Sequence, residues 1–294
     1  MRKSSFPPLL RAMRPTQWPK NFFVLAPLVF GGELFQPDSL LRSLLALAVF
    51  CCAASAVYLL NDLRDREADR QHPLKRHRPL AAGTLSVKAA LAAVAVLVAM
   101  AAAGSLQLGP IFSWILVAYL TINLLYSFGL KNIVILDVMI VSLGFVLRVA
   151  AGGAAIDVEI SRWLALCTIF VALFLVLSKR RHEIVLLADK ASGQRNVLEQ
   201  YSASFLDQMI NVVTASAVVS YALYAVSPET LEKFDTQNLI YTLPMVLFGI
   251  FRYLFLIYQT SAKRNPTEAM LTDLPFLLNL AVWGCAVTWI VYGA

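Results

Sequence analysis

The chain has 294 residues, 59% of them hydrophobic and 15% charged, with a mean hydropathy of +0.68 and a formal net charge of +7. Soluble domains carry about a quarter of charged residues, so this composition excludes a water-soluble globule and indicates a polytopic membrane protein. The positive balance then concerns anionic lipid and phosphate ligands rather than nucleic acid.

In chain order the apolar stretches are 21–36, 40–60, 87–106, 110–128, 133–152, 162–178, 208–227, 239–258 and 274–292. Most approach the ~20 residues that cross a bilayer core as a helix. They predict an all-α polytopic membrane protein with nine transmembrane helices, the first short and interrupted by Pro27 and Gly31–Gly32. Lys and Arg sort by side. Five lie in the arm before the first span, seven in 61–88, one at Lys131, five in 179–207, and two at Lys263 and Arg264. The other side has three: Arg42, Arg162 and Lys233. This bias places the N-terminus and the rich loops in the cytoplasm, as expected for a bacterial inner-membrane protein. The basic, broken arm forms no apolar h-region, so no cleavable signal peptide is expected. All four cysteines fall inside spans without CxxC spacing, which argues against disulfides and zinc. The loops are too short for a soluble domain, and residues 1–294 read as a single integral-membrane domain.

The richest loop is Asn61–Gly83, NDLRDREADRQHPLKRHRPLAAG, with four acids and six Lys/Arg. If the preceding helix continues through it, Asp62, Asp65 and Asp69 fall at i, i+3 and i+7, within an arc of roughly 60°. Three like charges on one stripe repel. A hard cation such as Mg²⁺, itself bound to phosphate oxygens, offsets that cost. Asn61, Asp62, Asp65 and Asp69 are therefore the candidate catalytic set, the three aspartates as metal ligands. Lys75, Arg76 and Arg78 follow directly.

Two further polar segments share that side. The entry arm RPTQWPKN carries Arg14 and Lys20; the segment after the sixth span carries Lys179, Arg180, Arg181, Glu183, Arg195 and Tyr201. Together these segments predict one polar cavity for two phosphorylated groups. Tyr126 and Lys131 add a hydroxyl and a cation to its rim. Arg148 and Arg252 lie within spans, where an ionisable group is costly and either holds a ligand or makes a structural pair. Asp137, early in its span, reads as an interfacial cap. His72, His77 and His182 lack metal-ligand spacing and read as loop residues. The bland alternative for many basic residues at helix ends is topology alone.

The run Asn61-Asp62-x-x-Asp65-x-x-x-Asp69, then Arg78-Pro79-Leu80-Ala81-Ala82-Gly83, resembles the first Asp-rich signature of the UbiA superfamily of intramembrane prenyltransferases, as does YSFGLK at 126–131. The resemblance implies a helical bundle around a central cavity open to lipid, with Mg²⁺ and a diphosphate on the Asp-rich helix. The second, DxxxD-type motif usual in that superfamily is replaced by KRRHE at 179–183. That replacement, with the RPxQWxKN arm, is similar to the decaprenyl-phosphate phosphoribosyltransferase branch. The branch implies transfer of 5-phosphoribose from phosphoribosyl pyrophosphate (PRPP) to a polyprenyl monophosphate, in cell-wall biosynthesis. One diphosphate needs one acidic motif, whereas two phosphomonoesters need cations. On this reading Lys75, Arg76 and Arg78 hold ribose phosphates, and Lys20, Lys179 and Arg180 hold the lipid phosphate. The rivals are a true prenyltransferase acting on an aromatic acceptor and a non-enzymatic transporter or lipid scaffold. The sequence leaves the oligomeric state open, a homo-oligomer included.

Overall fold

The computed structural model describes residues 7–72, 75–188, 200–259, 270 and 272–293, and every regular element among them is helical. In chain order these are α1 (Pro8–Met13), a 3₁₀ helix Pro15–Leu25, α2 (Ala26–Phe30), α3 (Pro37–Arg64), α4 (Arg66–Gln71), α5 (Val87–Leu108), α6 (Pro110–Phe128) and α7 (Leu136–Ala155). Then follow α8 (Arg162–Ala188), α9 (Ala203–Val226), α10 (Pro228–Phe234), α11 (Leu243–Gln259) and α12 (Leu274–Tyr292). Eight helical stretches among the described residues are long and apolar enough to cross a membrane. They correspond to the second to ninth predicted segments.

The first predicted segment differs. Its helical run starts at Pro15 rather than at residue 21 and ends at Phe30, with turn and irregular backbone up to Gln36. Pro15 and Pro27 lie in the first turns of the 3₁₀ helix and of α2, where a missing amide proton is tolerated, whereas Pro19 lies inside the 3₁₀ stretch and interrupts regular α-helical bonding. The run nevertheless follows the whole length of α3 in the opposite direction. Arg14 bonds to Asp62, Trp18 Nε1 to Ser55 Oγ at 3.1 Å, and Asn21 Nδ2 to Cys51 Sγ at 3.3 Å. At the far end Ser39 Oγ donates to Glu33 at 2.8 Å. At about 2.0 Å rise per 3₁₀ residue and 1.5 Å per α residue the run covers about 30 Å, the thickness of a hydrocarbon core.

The chain divides into two compact units: Met1–Gly129 with Leu147–Glu159, and Leu130–Val146 with Ile160–Ala294. In the first, α3 is central and packs on the 3₁₀ helix, α1, α5 and α6. Phe50, fully buried, meets Phe112 edge-on at 5.9 Å and Tyr119 at 5.1 Å. Two glycines permit the close approach. A Cβ on Gly104 would lie 2.5 Å from Val49 Cγ2, and one on Gly152 would lie 2.0 Å from the Val24 carbonyl oxygen. In the second unit α8 packs along α9, and α11 packs on α12 and α9. Helix α8 outruns its predicted end at 178 by ten residues, so Lys179–Glu183 and His182 are helical and His182 is buried, not a loop residue.

Candidate active site

Asp62 occupies the last turn of α3, whose apolar residues bury it to 2% exposure. The helix does not run unbroken through the acidic stripe: Asp65 caps α3, and α4 begins at Arg66. The i to i−4 bonding survives the junction, Asp65 N donating to Asn61 O at 2.9 Å and Asp69 N to Asp65 O at 2.8 Å. The helical spacing therefore holds, and Asp62 and Asp69, both buried, converge as expected.

They converge on a cation that the chain supplies itself. Arg78 Nη1 donates to Asp62 Oδ1 at 3.1 Å and to Asp69 Oδ2 at 2.7 Å. Arg14 Nη2 donates to the same Asp62 oxygen, and its guanidinium lies 4.9 Å from the Tyr58 ring centre. Two carboxylates thus face two guanidiniums, a charge-balanced cluster in which each buried anion has a donor. Beside it, burial and the Lys75 ammonium push the His72 imidazole below its ordinary pKa against the pull of Asp69. His72 is therefore neutral near pH 7, and its Nδ1 accepts from the Lys75 amide at 3.3 Å.

The remaining predicted groups of this unit are arranged around that cluster or deeper. Asn61, Asp65, Lys20, Lys75 and Tyr126 are half-buried, and Arg76 is exposed. Arg148 is buried at 6% exposure: its Nε donates to Asn21 Oδ1 at 2.8 Å and its Nη2 to Tyr119 OH at 2.9 Å. These neutral partners fix Arg148 as a tie between α7, α6 and the 3₁₀ helix.

In the second unit the structure gathers Lys179, Arg180, Glu183 and Tyr201 around Asp137. The expectation of an interfacial cap at Asp137 is corrected, since this carboxylate is fully buried. Arg180 pairs with Asp137 at 2.8 Å and with Glu183 at 2.9 Å, and the Tyr201 hydroxyl donates to Asp137 at 2.7 Å while accepting from Ile135 N at 2.6 Å. Burial and the hydrogen bond to Asp137 push the Tyr201 phenol up to about 12. Ile135 has φ of 68°, an uncommon conformation for a β-branched residue, held by that phenol. Lys179, 44% exposed and 3.7 Å from Glu183, is the more accessible cation of the set. Lys131 is half-buried. Arg252 takes the structural alternative, pairing with Asp273 through two bonds of 3.0 and 2.8 Å. Arg195 lies outside the described residues, as do Asp189, Lys263 and Arg264.

Sequence reasoning missed Asp137 as a site member. Its signal was an ionisable group placed inside an apolar span.

Among the described residues, no three His, Cys, Asp or Glu side chains form a ready-made metal cage. Two hard carboxylates aimed at one cationic nitrogen do match the donors that Mg²⁺ takes when phosphate oxygens and water complete its shell. The residues fit a metal that arrives with a phosphorylated substrate.

Membrane-spanning helices with charge-paired aspartates and arginines at one helix end describe an integral membrane protein with a polar site. The chain belongs to the UbiA prenyltransferase family, whose pattern matches residues 22–280. It is 35% identical over 291 residues to a Corynebacterium glutamicum protein named decaprenyl-phosphate phosphoribosyltransferase, covering 97% of this chain and 86% of that protein. A Mycobacterium tuberculosis protein of the same name is 38% identical over 221 residues, 74% of this chain and 73% of that protein. In fold the chain resembles a UbiA homologue from Archaeoglobus fulgidus bound to GPP and Mg²⁺, with a TM-score of 0.75, 21% identity, and 98% and 100% of the two chains covered.

Proposed function

We propose that this protein transfers 5-phosphoribose from PRPP to a polyprenyl monophosphate of the decaprenyl kind, releasing diphosphate. The observation that carries the reading is the likeness, over 97% of the chain, to a protein named for that activity. The side chains support it. One acidic pair suits one diphosphate, and the segment after the sixth predicted span presents Lys179 and Arg180 instead of a second acidic pair.

Asp62 and Asp69, with Asp65 between them in sequence, would hold Mg²⁺ against the diphosphate. The ion supplies charge neutralisation on the departing group. Arg78, beside both aspartates, and Arg14, beside Asp62, exchange carboxylate for phosphate oxygens as the substrate binds. Their guanidiniums offer paired donors matched to phosphate. Loss of diphosphate develops oxocarbenium character at C1 of the ribose, as in glycosyl transfer generally. The acceptor phosphate attacks the opposite face with inversion. A phosphomonoester is anionic near neutral pH, so no strong base is needed. In the segment after the sixth predicted span, Lys179 is assigned to the lipid phosphate. Arg180, committed to Asp137 and Glu183, positions that segment.

The same reading places the protein in a bacterial cytoplasmic membrane with Asn61–Gly83 on the cytoplasmic face. The Pro15–Phe30 run then makes a ninth crossing, and the chain acts as one catalytic domain. The Lys/Arg bias and the antiparallel course along α3 support this topology.

Purified protein supplied with polyprenyl phosphate, labelled PRPP and Mg²⁺ is expected to yield labelled lipid. Asp62→Ala is expected to lose at least about 10²-fold in rate, the scale of one key electrostatic group. Transfer from a prenyl diphosphate to an aromatic acceptor, with no labelled lipid, would sink the proposal in favour of prenyl transfer.

A further inference from the structure

Within the first unit, the side of α3–α4 away from the aspartates carries a second constellation. A cavity of about 530 Å³ is bounded there by Leu60 and Leu63 of α3, Leu91 of α5, and Leu124 and Phe128 of α6, together with Arg64, Arg66 and Glu67. At 100° per residue, positions 60, 63, 64 and 67 lie about half a turn from 62, 65 and 69, and Arg66 falls between the two faces. The cavity opens at the C-terminal ends of α3 and α6 and the N-terminal end of α5, where the chain leaves its apolar spans for the basic loop. Leu91 is 50% exposed and Phe128 68%, so the apolar wall faces outward.

The polar wall is cationic. Arg64 Nη2 donates to the Phe128 carbonyl at 3.2 Å, and its guanidinium lies 4.5 Å from the Phe128 ring centre, which fixes it at the rim. Glu67 is neutralised by Arg70 through bonds of 3.0 and 3.1 Å. Arg66 is half-buried, and its Nε is enclosed with no hydrogen-bond partner among the described residues. Arg64 and Arg66 put two positive charges on this wall, and an anion beside them is favoured where lipid tails exclude water. An apolar wall running into a pair of arginines at a membrane boundary matches a lipid headgroup and its first tail carbons.

We propose that this cavity binds one anionic membrane phospholipid, its phosphate on Arg66 and Arg64 and an acyl chain along Leu60, Leu91 and Leu124. The polyprenyl phosphate acceptor is the less suitable occupant, because α3 stands between this cavity and Asp62. The inference does not depend on the reaction proposed above.

The test uses the full chain in detergent, with native mass spectrometry counting lipids retained from phosphatidylglycerol or phosphatidylcholine. Wild type is expected to keep one phosphatidylglycerol under collision conditions that strip phosphatidylcholine. Arg66→Gln should weaken that retention about tenfold, the value of one charge-assisted contact, and Arg11→Gln, an equal charge loss on the exposed arm, should not. Leu91→Trp, which fills the apolar part and keeps both guanidiniums, should also weaken it. Equal retention in Arg66→Gln and wild type, or equal retention of the two lipids, overturns the site. Unchanged retention in Leu91→Trp, with inorganic phosphate competing, reduces it to a phosphate site. Displacement of phosphatidylglycerol by equimolar polyprenyl phosphate assigns the cavity to the acceptor and overturns the choice of phospholipid.

Discussion

At the scale of single residues, the acidic pair is held by one guanidinium, that of Arg78, which bonds to both carboxylates. Among the described residues Asp69 has one ion-pair partner, Arg78, while Asp62 has Arg78 and Arg14. Removing the guanidinium leaves a buried carboxylate without its donor, whereas removing both charges leaves nothing to satisfy. Arg78→Gln is therefore expected to cost about 1–2 kcal/mol, discounted because Arg78 is 26% exposed. Asp69→Asn in that background should recover part of the loss. Thermal unfolding of the four proteins in the mutant cycle measures the coupling, and strictly additive effects would show that the pair does not interact.

At the scale of elements, close helix approach and helix capping carry separate expectations. A Cβ at Gly152 meets backbone, the Val24 carbonyl, which cannot swing aside; a Cβ at Gly104 meets only a Val49 methyl. Gly152→Ala should cost about 1–3 kcal/mol and Gly104→Ala less, and comparing their unfolding midpoints decides the order. Asp273 caps α12 by accepting from Phe276 N at 2.9 Å and pairs with Arg252. The Arg252 bond holds its carboxyl below the ordinary value of 3.8. The stabilisation from this ionisation is therefore complete above that ordinary value and disappears as pH falls through the lower folded value. Asp273→Ala should lower stability by about 1 kcal/mol at pH 7 through the lost cap. It should also abolish this part of the acid-induced loss, as unfolding midpoints from pH 7 to pH 3 would report.

At the scale of the whole molecule, the distribution of basic residues and the course of residues 15–30 make a topological prediction. Single cysteines at Thr16 and Arg76, both exposed, should react with an impermeant reagent from the same face of the membrane. A cysteine at Lys233 should react from the opposite face. Labelling of Thr16→Cys and Arg76→Cys from opposite faces would remove the ninth crossing.

Hydropathy and charge are local properties, and so the sequence alone determined an all-helical membrane protein, eight of its spans though not the full length of α8, and the acidic stripe. Helical spacing, kept across the junction of α3 and α4, was enough to bring Asp62 and Asp69 together. What the sequence could not decide lay between residues far apart in the chain. The 3₁₀ form of Pro15–Leu25 depends on α3 as a surface to follow. Arg14 reaches Asp62 across 48 residues, Tyr201 reaches Asp137 across 64, and Arg148 reaches Asn21 across 127. Such pairs form because burial leaves each polar group in need of a partner, and only the packed helices determine which partner is near.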